Sequence, residues 1–216
     1  ILWKLEGLGD EMKKMQKGGD TIRLNAMSVV SLLSGIIKKF REEEPDAAFV
    51  VTDQKESTDW HLCILSAGPG ISYQGGQELL SEEVFLGASS RTWQGERDEI
   101  SLRDVENENF ILLPRGTVLR NLADTWFREH HFIPRLSMEC NSTHLVRSLV
   151  SDQVGITLWP EYSWGKRPDV HMVRIAEPGF YRSVFLLRQK SGEIPPAAER
   201  FAQFVEDYMR TLEHEK

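Results

Sequence analysis

The 216-residue sequence has only two cysteines, Cys63 and Cys140, far apart in the chain. No C-x-x-C pair is present, so zinc-ribbon and dithiol redox chemistry have no ligands to use. Each cysteine stands in an apolar, strand-like stretch, which predicts buried free thiols in a reducing compartment. No apolar run approaches the roughly 18 residues that span a membrane. No charged n-region and apolar h-region mark a signal peptide, and the first residue is Ile rather than Met, which reads as a fragment. Basic residues are also short: Lys and Arg number 26 against 33 Asp and Glu, a net charge of -7. This segment is therefore not expected to be one that grips nucleic acid through a basic face.

Catalytic signatures are missing as well. There is no G-x-S-x-G elbow and no H-E-x-x-H. "GPGISYQGG" is glycine-rich but its spacing fits neither G-x-G-x-x-G nor a P-loop, and a surface turn accounts for it. His130 and His131 stand together at a helix end, where a cation complements the dipole. No further ligand accompanies them, so no metal site is expected. His61 in a strand and His144 in a first helical turn are explained by packing or hydrogen bonding. "REEEPD" and "GERDE" read as solvated acidic faces. No nucleophile, base, metal or cofactor site can be named, and the chain is read as not an enzyme.

What is present is ordered. Apolar content of 40% and charged content of 27% are ordinary for a globular protein. Ile1, Leu5, Leu8, Met12 and Met15 follow heptad spacing. That spacing fits either the tail of a dimerising helix or a surface helix of the same domain, and "KGGD" ends it at Lys17 to Asp20. A strand at "TIRLNA" precedes a helix from about Ser28 to Glu43, stopped by Pro45. Strands follow at "AAFVVT", "WHLCIL" and "EEVFLGAS". A short turn then leads to a strand at Phe110 to Leu113. "GTVLRNLADTWFREHHF" is an amphipathic helix. The series then runs strand, helix, "GITLW", "VHMVRI" and "YRSVFLLRQ". The closing helix, "PPAAERFAQFVEDYMRTLEHEK", has prolines at its start. Alternation of this kind predicts an α/β protein with mostly parallel sheets.

One feature recurs. A strand meets a polar helix start at "NAMSVVS", at "LLPRGTVLR" and at "ECNSTHLV". Asn141, Ser142 and Thr143 can cap the helix they precede. The same three residues form a glycosylation sequon, which carries no meaning without secretion. A helix start at a strand's carboxyl end also forms an anion or ligand site. Arg115, beside the second seam, is a candidate charge partner for an anion. Trp159 suits either an apolar wall of such a site or the core.

The stretches "IRLNAMSVVSLLSGIIKKFREEEPDAAFVV", "LLSEEVFLGASS" and "SLRDVENENFILLPRGTVLRNLADTWFREHHFIPRLSMECNSTHLVRSLVSDQVGITLWPEYS", with "FAQFVEDYM", resemble the effector-binding region of the LysR-type transcriptional regulators. The likeness covers nearly the whole chain. It implies a type 2 periplasmic-binding-protein-like fold: two α/β subdomains joined by two crossover strands, with a small-molecule effector in the cleft between them. Residues 1–19 would be the tail of the linker helix, residues 20–89 with 184–216 the first subdomain, and 90–183 the second. Carried over by position, the effector contacts are Met27, Ser28, Val29 and Ser66 on the first. On the second they are Gly116, Thr117, Asn141, Ser142 and Thr143.

The likeness further implies a cytoplasmic homo-oligomer that reaches DNA through a winged helix-turn-helix upstream of this sequence. The polar helix starts point to an anionic effector, most plausibly a carboxylate. One departure stands out. The family usually carries a helix of several turns between "FVVT" and "WHLCI", which packs in its dimer of effector domains. "DQKESTD" is too short and polar for it, so weaker association is expected. A transporter's solute-binding protein is the rival reading. An enzyme on the same fold, such as a prephenate dehydratase or a porphobilinogen-polymerising synthase, is the other.

Overall fold

The computed structural model describes residues 21–54, 57–93, 98–190 and 192–214. The heptad pattern and the "KGGD" linker lie outside these residues. In order, the described elements are β1 (Thr21–Ala26), α1 (Val30–Glu43), β2 (Ala48–Thr52), β3 (Leu62–Ala67), β4 (Gly76–Ser89) and β5 (Glu99–Ile100). A single 3-10 turn at Leu102–Val105 leads to β6 (Asn109–Leu112), α2 (Val118–Glu129), β7 (Arg135–Glu139) and α3 (Thr143–Ser151). The chain closes with β8 (Thr157–Pro160), α4 (Glu161–Trp164), β9 (Val170–Ile175), β10 (Tyr181–Arg188) and α5 (Pro196–His214). Among the described residues no helix is long and apolar enough to cross a membrane.

The chain folds into two compact units. The described part of the first comprises residues 21–66, 72–80 and 184–214; the second comprises 67–71 and 81–183. The division falls inside β4 and inside β10, so these two strands run from one unit into the other. A sequence boundary at residue 89 assigns the whole of β4 to the first unit; the contacts divide the strand between Leu80 and Ser81.

In the first unit β1 pairs in parallel with β2 and β3, with Leu24 opposite both Val51 and Leu62. Ile22, Leu24, Leu62 and Ile64 are almost wholly buried, as expected of a central parallel strand and its neighbour. Leu33, Ile36 and Phe40 recur at helical spacing along α1 and are its buried face. Phe40 meets the rings of Phe201 and Phe204 from α5 edge-on, with centroids 5.0 and 5.4 Å away. Phe49 of β2 joins the same cluster. Pro196 occupies the first helical position of α5, where its missing N–H costs no hydrogen bond. Across this unit Arg188 of β10 binds Glu199 and Glu206 of α5 at 3.0 and 2.9 Å.

The second unit corrects the expectation of mostly parallel sheets. Its share of β4 takes both β8 and β9 antiparallel. Among the described residues, β5 pairs with β9 and β6 with β7 in parallel, with a parallel bridge from Phe110 to Ile156. β8 and β9, joined through α4, therefore run in the same direction and both oppose β4. The core here is built from Val84, Leu86, Phe110, Ile111, Ala123, Phe127, Val146, Leu158 and Trp159, with further residues around them. Trp159 faces Phe85 across the antiparallel pair and lies over Gly87. A Cβ at Gly87 would stand 2.7 Å from the indole, so glycine is what allows the ring to pack flat on the strand.

A buried charge cluster ties this unit together. Glu82 of β4 has no exposed surface and Arg182 of β10 has 5%. One carboxylate oxygen of Glu82 accepts from Arg182 Nε at 2.7 Å and from Ser163 Oγ at 2.6 Å. The other accepts the backbone N–H groups of Tyr162 and Ser163, at 3.0 and 2.8 Å, in the first turn of α4. A buried carboxylate is tolerated only when its lone pairs are filled in this way.

Between β2 and β3 the described residues 53, 54 and 57–61 form no helix. Cys63 is buried, Cys140 is half-buried, and both are free thiols. Burial pushes the Cys63 thiol up to about 11, which removes it from nucleophilic chemistry at neutral pH.

Candidate functional site: the polar helix starts

In the first unit, β1 ends beside β3, with Ala26 opposite Ile64 and the Met27 N–H donating to the Ile64 carbonyl at 2.8 Å. Ser28 follows and is 4% exposed. Its hydroxyl is buried and has no hydrogen-bond partner among the described residues. Val29 then adopts φ 52 and ψ 27, a left-handed conformation that a β-branched residue rarely takes. Its carbonyl accepts from Leu32 and Leu33 at 2.9 and 3.1 Å, so the residue caps α1 by its backbone alone. The helix therefore begins at Val30, two residues later than its apolar spacing predicts. The Val29 side chain is fully buried, which holds the strained turn in place. Ser66, on β3, is 2% exposed. Thus Met27, Ser28, Val29 and Ser66 all stand at the ends of the neighbouring strands β1 and β3.

In the second unit two seams lie side by side. The parallel register sets Leu112 of β6 opposite Glu139 of β7, and Cys140 N–H donates to the Leu112 carbonyl at 3.0 Å. Both strands then turn into helices at the same edge. At the β6 seam Gly116 has φ 91, a conformation suited to glycine. Thr117 caps α2: its hydroxyl accepts from the Arg120 N–H at 3.4 Å and donates to the Pro114 carbonyl at 2.9 Å. The hydroxyl of Thr117, one of the expected effector contacts, thus already has an acceptor inside the turn. Arg115 is exposed and has no partner among the described residues.

At the β7 seam Ser142 caps α3 by accepting from the Leu145 N–H at 3.3 Å. Thr143 is the first residue of α3, and Asn141 precedes the cap. Both are exposed, and neither side chain has a partner among the described residues. Arg115, Gly116, Thr117, Asn141, Ser142 and Thr143 are therefore brought to one edge of the unit. The N–H groups of two helix first turns accompany them.

Sequence reasoning missed the residue that supports this edge. Arg120 is 4% exposed, and its guanidinium binds Asp124 at 2.8 Å, Glu139 at 2.8 Å and the Leu113 carbonyl at 3.0 Å. It thereby joins the α2 cap to the end of β7. Its position three and seven residues before Ala123 and Phe127, on the buried stripe of α2, was the available signal.

Trp159 falls on the core side of the two roles open to it. It has no exposed surface, its indole N–H donates to the Gly165 carbonyl at 3.0 Å, and its ring meets Trp164 edge-on at 5.2 Å. Among the described residues there is no group of three or more His, Cys, Asp or Glu side chains placed to hold a metal.

Residues 16–210 match the family described as the LysR substrate binding domain. The chain is 26% identical over 215 residues to the transcriptional dual regulator GltC of Bacillus subtilis (strain 168), covering 94% of this chain and 72% of GltC. Among solved structures, the CcmR regulatory domain of Synechocystis PCC6803 in complex with 2-PG is similar at a TM-score of 0.74 and 16% identity. The effector-binding domain of QuiR in complex with shikimate is similar at a TM-score of 0.70 and 20% identity. Each covers 88% of this chain and 97% of the neighbour. The fold is the type 2 periplasmic-binding-protein-like fold of these domains.

Proposed function

Because the chain belongs to the LysR substrate-binding-domain family, we propose that it is the effector-sensing part of a DNA-binding transcription regulator acting in the cytoplasm. It binds a small metabolite and passes that event to a DNA-binding segment outside this sequence, in a homo-oligomeric protein. It senses rather than catalyses. The effector is a carboxylate anion. In the first unit, taken by itself, the candidate contacts are Met27, Ser28, Val29 and Ser66; in the second, taken by itself, they are Arg115, Gly116, Thr117, Asn141, Ser142 and Thr143. The shikimate of the QuiR domain is a carboxylate, which supports this choice.

The observation that carries the reading is the Ser28 hydroxyl. A buried hydroxyl without a partner costs about 1–3 kcal/mol, and here it stands beside a strained, fully buried Val29 at a helix start. Such strain persists where function requires it. A ligand oxygen would satisfy the hydroxyl. Arg115, exposed and partnerless among the described residues, supplies the charge.

The test is calorimetric titration of shikimate, 2-PG and a panel of other organic anions and cations against wild type, Ser28→Ala and Arg115→Gln. Ser28→Ala has effects of opposite sign under this reading. It stabilises the ligand-free protein by up to about 1 kcal/mol and weakens binding about three- to tenfold. Binding that is unchanged in both variants, or a panel in which every binder is cationic, overturns the assignment.

A further inference from the structure

Away from the polar helix starts, the second unit carries a concave site that shares no residue with them. It is an open depression of about 340 Å³ lined by Phe85 of β4, Glu161 of α4, Lys166 and Arg167 of the following loop, and Val170 and Met172 of β9. Its size is at the lower end of small-molecule pockets. Met172 lies opposite Gly87 in the antiparallel register, and Phe85 stands two residues earlier on the same strand face. Phe85, Met172 and Val170 therefore form an apolar floor, with both cations contributed by the loop after α4.

Arg167 is fixed in place. Its Nε and Nη2 bind the two oxygens of Asp169 at 2.8 and 2.6 Å. Asp169 also accepts from the Ser151 hydroxyl at the end of α3. These bonds leave Arg167 Nη1 without a partner among the described residues, and Lys166 has none there either. A guanidinium already oriented by a neighbouring carboxylate loses little freedom when it takes a ligand. Glu161 on the lining adds one negative charge and opposes a second carboxylate on the ligand.

From this arrangement we infer a second small-molecule site, specific for a monocarboxylate with a compact apolar body. The carboxylate is held by Lys166 and the free edge of Arg167, and the body lies on Phe85, Val170 and Met172. Dianions are disfavoured by Glu161, and neutral analogues lack the charge-assisted bonds.

The probe is phenylacetate, compared with neutral 2-phenylethanol and dianionic phenylmalonate. Methyl resonances of 13C-labelled methionine report binding, and Met172→Leu identifies the Met172 signal. Phenylacetate is expected to move that signal saturably, with a dissociation constant below about 10 mM. Lys166→Gln, a change at an exposed residue, should raise this constant at least about threefold. Phenylethanol and phenylmalonate should each bind at least about threefold more weakly. The site is refuted if the Met172 signal does not move, or if Lys166→Gln binds as tightly as wild type. It is refuted equally if the analogues match phenylacetate, or if the shift disappears in Ser28→Ala or Arg115→Gln, which would assign it to the effector seams. Persistence of the shift in those two variants, while metabolite binding weakens, separates this inference from the proposed function.

Discussion

Arg182→Met tests how the second unit is held together. Glu82 has no exposed surface and receives four donors: Arg182, the Ser163 hydroxyl and the backbone N–H groups of Tyr162 and Ser163. Methionine keeps much of the aliphatic stem of arginine but removes the guanidinium. The change strands a buried carboxylate, and breaking a buried pair from one side costs about 3–5 kcal/mol. Three donors remain on Glu82, so the low end applies, about 3 kcal/mol. For a chain of this size that lowers the midpoint of thermal unfolding by about 6–12 °C. Urea denaturation followed by tryptophan fluorescence measures the loss directly, since Trp93, Trp126, Trp159 and Trp164 all lie in the second unit. The double variant Glu82→Leu with Arg182→Met removes both charges and should cost less than the sum of the single changes. A loss below about 1 kcal/mol for Arg182→Met, or strict additivity in the cycle, would refute the reasoning.

Gly87→Ala should destabilise by about 1–3 kcal/mol, because its Cβ would stand 2.7 Å from the Trp159 ring; unchanged stability and unchanged tryptophan emission would contradict the flat packing. Burial, reinforced by Arg23 and opposed by Asp59, lowers the His61 pKa below its ordinary value of 6.5, and Nδ1 accepts the Arg23 N–H at 3.2 Å. A depressed pKa means that the folded state favours the neutral ring, so this stabilisation is present above about pH 6.5 and is lost as pH falls through the folded value. Wild type should therefore lose more stability between about pH 7.5 and 5 than His61→Gln does, as read by urea midpoints; parallel curves would sink the idea. The Cys63 thiol, raised to about 11 by burial, should react with iodoacetamide at neutral pH far more slowly in the native state than after unfolding, and equal rates would show that the strand is open.

The fold was legible where burial leaves a one-sided or continuous pattern. The apolar run of β3 and the spaced Leu33, Ile36 and Phe40 of α1 are direct consequences of what those segments pack against. The elements that escaped are those too short to carry a period. The two-residue β5 sits beside a polar stretch, and the four-residue α4 makes barely one turn. Strand direction escaped for another reason. Alternation along β4 reports which side chains face inward but not whether β8 and β9 run with it or against it. Glu82 and Glu83 are neighbours on β4, and their residue types alone do not say which of the two faces inward. Only the approach of Arg182 and the α4 N–H groups shows that Glu82 is buried while Glu83, bonded to Arg174 at 2.9 Å, is not.

The polar helix starts were legible as a class, because small hydroxyl residues between a strand and a helix have few other reasons to be there. Their individual roles were not. Thr117 and Ser142 have the same residue pattern as Ser28, yet their hydroxyls are occupied by caps and the Ser28 hydroxyl is not. The difference comes from Val29, whose left-handed backbone takes over the capping position and leaves the serine one residue outside it. A serine placed directly at the cap would have satisfied itself within the helix. The chain instead accepts a strained valine and keeps a buried hydroxyl unspent, an arrangement that raises the energy of the ligand-free fold twice over. Bonding to a ligand would recover one of those two costs, and that is why Ser28, rather than the better-formed caps, is the position at which stability and binding should move in opposite directions.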